Sequence, residues 1–183
     1  MDCEAQIRLW LMQDEMRLKV IKIVSSLNIP DCWVAAGFIR NLVWDRLHNY
    51  AHPTALNDID VIYYNSENID ESEDLLYESQ LKLSTSKTLD FSVKNQARMH
   101  YKLKRKQYKN IHEAMSYWPE IETAVGVRWI DGRIQFIAPF GLECLFNKTV
   151  TYNARSSFQA FTQRINSKRW LEMWPELIVK NNG

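Results

Sequence analysis

Asn57-Asp58-Ile59-Asp60-Val61, read together with Ala36-Gly37-Phe38-Ile39-Arg40-Asn41 about twenty residues upstream, decides how this chain is built. Side chains alternate across a strand, so Asp58 and Asp60 in a β-rich run project to one face. Two carboxylates on one face repel and raise each other's pKa unless a cation lies between them. A hard divalent ion with oxygen ligands, Mg²⁺ (or Mn²⁺), resolves that conflict. Upstream, Gly37 stands where an apolar strand gives way to a helix. A glycine there lets backbone N–H groups approach a phosphate at the helix N-terminus. The plainer alternatives are a solvated edge strand for the acids and a simple tight turn for the glycine.

Outward from this stretch, residues 4–28 carry Ile7, Trp10, Leu11, Leu18, Ile21 and Val24 at helical spacing, which predicts one amphipathic helix ending at Asn28-Ile29-Pro30. Residues 32–36 read as a short apolar strand, 38–47 as a helix, 48–57 as a loop around Pro53, and 58–64 as the acid-bearing strand. A helix is expected over 70–83, with acids in its first turn complementing the macrodipole. Residues 89–93 alternate like another strand, with Asp90 and Ser92 on one face, and 95 to about 104 read as helical. A short helix over 111–117 stops before Pro119. Asp131-Gly132, between strands at 123–129 and 133–138, is a strong hairpin signal. A brief helix at 141–146 and a longer one at 156–174, stopped by Pro175, follow.

That order predicts an α+β (mixed α/β) fold, a small mixed β-sheet flanked by helices, with a C-terminal hairpin and helices. No linker interrupts it, so 1–183 reads as one domain. Its parts are an N-terminal helix over 1–30, a catalytic-type core over 31–105, and the hairpin and C-terminal helices of 106–183 packed on that core.

The net charge of +1 offers nucleic acid no global field, so any such contact is local. Cys3, Cys32 and Cys144 are scattered, which fits neither a disulfide framework nor a zinc spacing and suits a reducing compartment. Asp2 and Glu4 stand where a secretory signal would be basic, and no apolar run reaches membrane-spanning length. A cytoplasmic protein without membrane partners is the expectation. No Walker loop, Ser-His-Asp order or zinc set is present.

A phosphate cradle followed by metal-binding acids is a layout for nucleotidyl transfer, and the residues carrying it resemble the polymerase-β-type nucleotidyltransferase superfamily. There a Gly-Gly or Gly-Ser turn precedes a helix, and Asp-x-Asp follows on the next strand. More closely, the chain resembles a bacterial family of small nucleotidyltransferase-like proteins. The shared stretches are 37–45, 58–61, 93–100, 118–120 with 123–128, and 168–170, spread over roughly residues 30–175. The resemblance implies transfer of an NMP from an NTP to a hydroxyl, with release of pyrophosphate.

It also implies three carboxylates on two ions, of which Asp58 and Asp60 take the first two places by motif match. The third belongs on the neighbouring strand. Either Asp90 supplies it, or the position is Ser92 and the acid has been lost. Gly37 and Phe38 are implied at the phosphate turn, where one small or hydroxyl residue of the superfamily pattern is missing. Arg40 could neutralise phosphate or pair with Asp45, and Asn41 could orient a ligand or cap the backbone. Lys94, Asn95 and Arg98 form a second polar cluster, with Arg98 as a further phosphate clamp, while His100 reads as a buried, hydrogen-bonded residue. The basic runs 102–109 and 168–170 read as solvated helix ends or acceptor contacts, and Trp170, Leu171 and Trp174 as core. The implied partners are an NTP and an acceptor that is a small molecule, an RNA end or a protein side chain. The rival reading is a nucleotide-binding sensor or interaction module of the same fold.

Overall fold

The computed structural model describes residues 2–85, 88–101 and 105–181. Its main sheet has five strands, β1 (Trp33–Ala35), β2 (Ile59–Tyr63), β3 (Phe91–Asn95), β4 (Gly126–Ile130) and β5 (Arg133–Ile137), in the order β3-β2-β1-β4-β5. β1 is antiparallel to both β2 and β4, and β4 to β5, whereas β2 and β3 are parallel. A parallel pair needs a crossover, which α4 (Glu71–Ser84) provides. The hairpin expected near the C-terminal end is therefore the other edge of this same sheet. Asp131 and Gly132 at its tip take φ of 49° and 75°, the left-handed values that a two-residue turn demands.

Strand alternation sorts the side chains into two faces. Ile59, Val61, Tyr63 and Val93 turn towards α1 (Cys3–Met12), α2 (Glu15–Ser26), α3 (Gly37–Leu47) and α4, forming the larger core. Trp33, Ala35 and Ile62 turn the other way, against Met115 of α5 (Ile111–Met115) and Ala124. Asp60 lies on this second face, paired in register with Ser92, two residues before the Ile62–Lys94 pair.

The helix expected over 4–28 is in fact two. Asp14 caps α2 by accepting the Arg17 N–H at 2.9 Å, and this local bond ends a periodicity that otherwise runs straight through. Arg17 is buried and donates to Asp14 at 2.5 Å and to the Phe38 carbonyl at 2.9 Å, which ties α2 to the first turn of α3. β3 starts two residues later than expected, which leaves Asp90 ahead of the strand. The helix expected from 95 is a 3₁₀ segment over Gln96–Tyr101, and 102–104 lie outside the described residues. The brief helix expected over 141–146 is likewise 3₁₀, over Glu143–Asn147.

The long C-terminal helix breaks at Arg169, whose φ of 52° separates α6 (Phe158–Lys168) from α7 (Trp170–Met173). Two short strands that the sequence pattern did not reveal, β6 (Thr149–Thr151) and β7 (Ile178–Lys180), pair in parallel beside them. The break at Arg169 turns Trp170 inward. Trp44 of α3 meets Trp170 and Trp174 edge-on, with ring centroids 6.0 and 5.1 Å apart. Leu171, expected in the core, is exposed. Among the described residues no helix is long and apolar enough to cross a membrane.

Asp45 joins these layers. Its carboxylate accepts the Trp174 indole N–H at 2.8 Å, the Thr54 N–H at 2.9 Å and the Thr54 hydroxyl at 2.6 Å, pinning the loop that leads into β2. Asp45→Ala strands all three donors. The expected cost is about 2–4 kcal/mol, read as a lower urea midpoint at unchanged slope.

Candidate active site

The chain leaves β1 at Ala35 and enters α3 at Gly37, so Ala36 makes the turn, with φ 56° and ψ −123°. Those angles suit glycine and strain any residue bearing a Cβ. The conformational burden expected at Gly37 thus falls on Ala36. Gly37 contributes space instead. A Cβ there would stand 3.4 Å from an Arg40 guanidinium nitrogen and 3.5 Å from the Asn41 side-chain oxygen. No side chain caps α3, so its first N–H groups are open to an anion. Phe38 offers only its backbone there, because its ring is buried against Arg17.

Arg40, one turn into α3, is held from several sides. It donates to the Thr123 hydroxyl at 2.7 Å and to Asn41 Oδ1 at 2.9 Å, and its guanidinium lies 4.9 Å from the Trp44 ring and 4.5 Å from Trp170. It does not pair with Asp45, whose oxygens serve Thr54 and Trp174. Burial lowers its pKa to about 10 against the pull of Glu120, Asp60 and Glu122, so it stays cationic at neutral pH.

Asp58 and Asp60 line a polar pocket of about 100 Å³ together with Gly37, Arg40, Asn41, Arg164 and Lys168. Neither carboxylate has a hydrogen-bond or ion-pair partner for its side chain among the described residues. Burial first, and Asp58 second, push the Asp60 carboxyl above its ordinary value, while Arg40, Arg164 and Lys168 pull it back. The α6 cations are the residues that sequence reading missed. Lys168 was noted only within a basic run and Arg164 not at all. Their four-residue spacing puts both on one helix face, but only the packing of α6, whose Phe161 joins Trp44, Val150 and Trp170, brings that face to Asp60. Glu120, fully buried, accepts from Arg164 Nε at 2.6 Å and fixes its direction.

The other expected site residues lie elsewhere. Asp90 is solvent-exposed and paired with Lys82 of α4 at 2.9 Å, and it lines neither this pocket nor its neighbour. Ser92 occupies the place beside Asp60. Arg98 is buried against Asp74 and reaches Glu71 at 3.4 Å, so its charge is spent on α4. The Asn95 amide donates to the carbonyls of Asn65 and Asn68 at 2.8 and 2.9 Å and so braces the 65–68 loop. Lys94 reaches Glu78 at 3.4 Å. His100 is buried with Nδ1 2.8 Å from the Ala97 carbonyl, as expected of a structural histidine.

Asp60 on β2 and Asp58 just ahead of that strand, where 58–64 was expected to be strand throughout, line one pocket without protein counter-ions, a donor set that fits a hard divalent cation. No group of three or more His, Cys, Asp or Glu side chains among the described residues is arranged to hold one. Across Asp60 and Arg164 from the polar pocket lies a second cavity of about 450 Å³, reached from Ser92, Lys94 and Gln96 and walled by Tyr108, Tyr117 and Trp118.

The fold is of the polymerase-β nucleotidyltransferase type. The chain belongs to a nucleotidyltransferase family, whose model matches residues 22–179. An NMR structure described as revealing a CCA-adding enzyme head domain is similar, with a TM-score of 0.84 at 29% identity over 97% of this chain and 96% of that one. A CCA-adding enzyme in complex with CTP gives a TM-score of 0.62 at 14% identity, over 95% of this chain but 43% of that one. A tRNA-processing enzyme complex gives 0.55 at 14% identity, over 88% and 43%. The last two likenesses speak for the fold, and this chain spans less than half of either protein's length. No curated protein matches the chain.

The raised Asp60 carboxyl has a thermodynamic signature. A group that holds its proton more tightly when folded makes stability fall as pH climbs from the unfolded carboxylate value through the folded one. Asp60→Asn removes that penalty. The variant should be the more stable protein at about pH 8, with the gap closing at about pH 3, in urea titrations across that range.

Proposed function

We propose that this chain transfers a nucleoside monophosphate from an NTP to a hydroxyl acceptor and releases pyrophosphate, in a reaction dependent on Mg²⁺ (or Mn²⁺) held by Asp58 and Asp60. The carboxylate pair without a protein counter-ion, set beside an uncapped helix start and under Arg40, Arg164 and Lys168, is the observation that carries this reading. A cation there would lower the pKa of the attacking hydroxyl and offset charge on the phosphates.

The chain's own groups do the rest. The N–H groups of Gly37 and Phe38 and the three cations receive the polyphosphate, at a helix start where anions are favoured. Arg40, clamped by Thr123, Asn41 and two indoles, needs little rearrangement to meet charge that develops on the phosphates. Arg164 stands at the junction of the two cavities, beside the phosphorus that changes partners, and Glu120 keeps it there. The bond from the acceptor oxygen to the α-phosphorus forms as the bond from that phosphorus to the bridging oxygen breaks. The electron pair leaves on pyrophosphate. A similar fold in complex with CTP supports an NTP as the donor.

Ser92 beside Asp60 favours one rival, a nucleotide-binding sensor that kept the pocket and lost the third carboxylate. Incorporation from α-labelled NTPs with Mg²⁺ separates the two. Asp58→Ala should lower transfer at least about a hundredfold, while Asp90→Ala should leave it intact. Tight NTP binding with no transfer to any acceptor would favour the sensor.

A further inference from the structure

We infer that the larger cavity is the acceptor subsite, and that the acceptor is a compact, planar-ringed molecule of nucleoside size carrying the attacking hydroxyl and an anionic group. This assignment rests on the transfer reading above and selects among the acceptors that reading leaves open.

Position comes first. The two cavities share Ala36, Asp60 and Arg164, but Gly37, Arg40, Asp58 and Lys168 line only the polar one. Displacement at phosphorus places the entering and departing oxygens roughly in line on opposite sides. A polyphosphate seated at α3 therefore departs on the side of the polar pocket. The entering hydroxyl then comes from the cavity across Asp60. Its oxygen bonds to the α-phosphorus, pyrophosphate leaves with the electron pair, and the hydroxyl proton passes to water.

Chemistry comes second. Tyr108 and Tyr117 stack at 5.3 Å with 19° between their planes, and Trp118, Met99 and Ile62 extend this apolar wall. Such surfaces favour a flat ring. Gln96 accepts the Trp118 indole N–H at only 3.4 Å and donates to the Lys94 carbonyl at 3.3 Å, so both ends of its amide are weakly held and can serve a polar ring edge. Outside the lining, the Arg105 and Arg155 guanidiniums lie 4.4 and 4.3 Å from the ring centroid of Tyr117, which does line it. Neither forms a salt bridge among the described residues, so both leave positive charge beside the cavity. An anionic group on the ligand answers them.

Size comes third. A volume of about 450 Å³ lies within the range of small-molecule sites, which is about 300–1,000 Å³. A polynucleotide would be drawn by an extended positive field, which a net charge of +1 does not supply.

The probe is a nucleoside 5′-monophosphate, AMP or CMP, titrated by calorimetry into the full chain saturated with Mg²⁺ and a non-hydrolysable NTP. Binding of the probe to the already loaded protein is the expected result. Ala160→Phe, which fills the cavity from α6, and Tyr117→Ala, which removes its stacking wall, should each weaken the probe at least about tenfold and leave the NTP analogue within about twofold. With α-labelled NTP, label should move onto the probe, and more slowly in both variants. The inference is overturned if the analogue displaces the probe, since the cavity would then seat the donor's own nucleoside. It is equally overturned if neither monophosphate binds while the analogue does. Label reaching an RNA oligonucleotide or a protein at a rate that Ala160→Phe leaves unchanged would also overturn it. Failure of the analogue itself to bind would strike the transfer reading, and the acceptor assignment would fall with it.

Discussion

Mutual repulsion between Asp58 and Asp60 is the constraint around which this molecule is arranged. Asp60 stands on β2 and Asp58 one residue ahead of it, both acids line one pocket, and the protein places no counter-ion directly on either. Burial makes the conflict worse for Asp60. The fold answers with cations set back from the acids rather than bonded to them. Arg40 is spent on Thr123 and Asn41, and Arg164 on Glu120. Direct salt bridges would have quenched the pair and closed the space that the proposed metal ion and phosphates need.

Holding cations at that remove requires support from distant parts of the chain. Arg40 is wedged between Trp44 and Trp170, and Trp170 reaches it only because the chain turns at Arg169. Asp45 locks Trp174 of the same layer to the loop that delivers Asp58. Ala36 accepts a strained backbone so that α3 can start immediately after β1, with its N–H groups towards the pocket. Local cost at the turn and wide bracing around it together produce a pocket lined by Arg40, Arg164 and Lys168 beside an uncapped helix start.

Much of this was legible in the sequence. Alternation placed Asp60 on a strand, although β2 begins at Ile59 and leaves Asp58 one residue ahead of it, the glycine marked the start of α3, and Asp131-Gly132 marked the hairpin. Each of those signals is local. What escaped were features set by tertiary contacts. Asp90 looked like a strand acid, but β3 begins one residue later and Lys82 draws the side chain outward. Arg98 looked free for phosphate, yet α4 carries Asp74 to it. Arg164 has no local signal at all, because its place beside Asp60 depends on how α6 packs through Phe161 and on the ion pair with Glu120. β6 and β7 are too short to show a period, and they exist because each pairs with the other.

The central claim is that the two aspartates together take a divalent cation. Titration of Mn²⁺ followed by electron paramagnetic resonance, on wild type and on the Asp58→Asn and Asp60→Asn variants, tests it most directly. The account predicts a bound ion in the wild type that either substitution abolishes, with tighter binding once a triphosphate occupies the α3 pocket. Mn²⁺ uptake indistinguishable among the three proteins would contradict it.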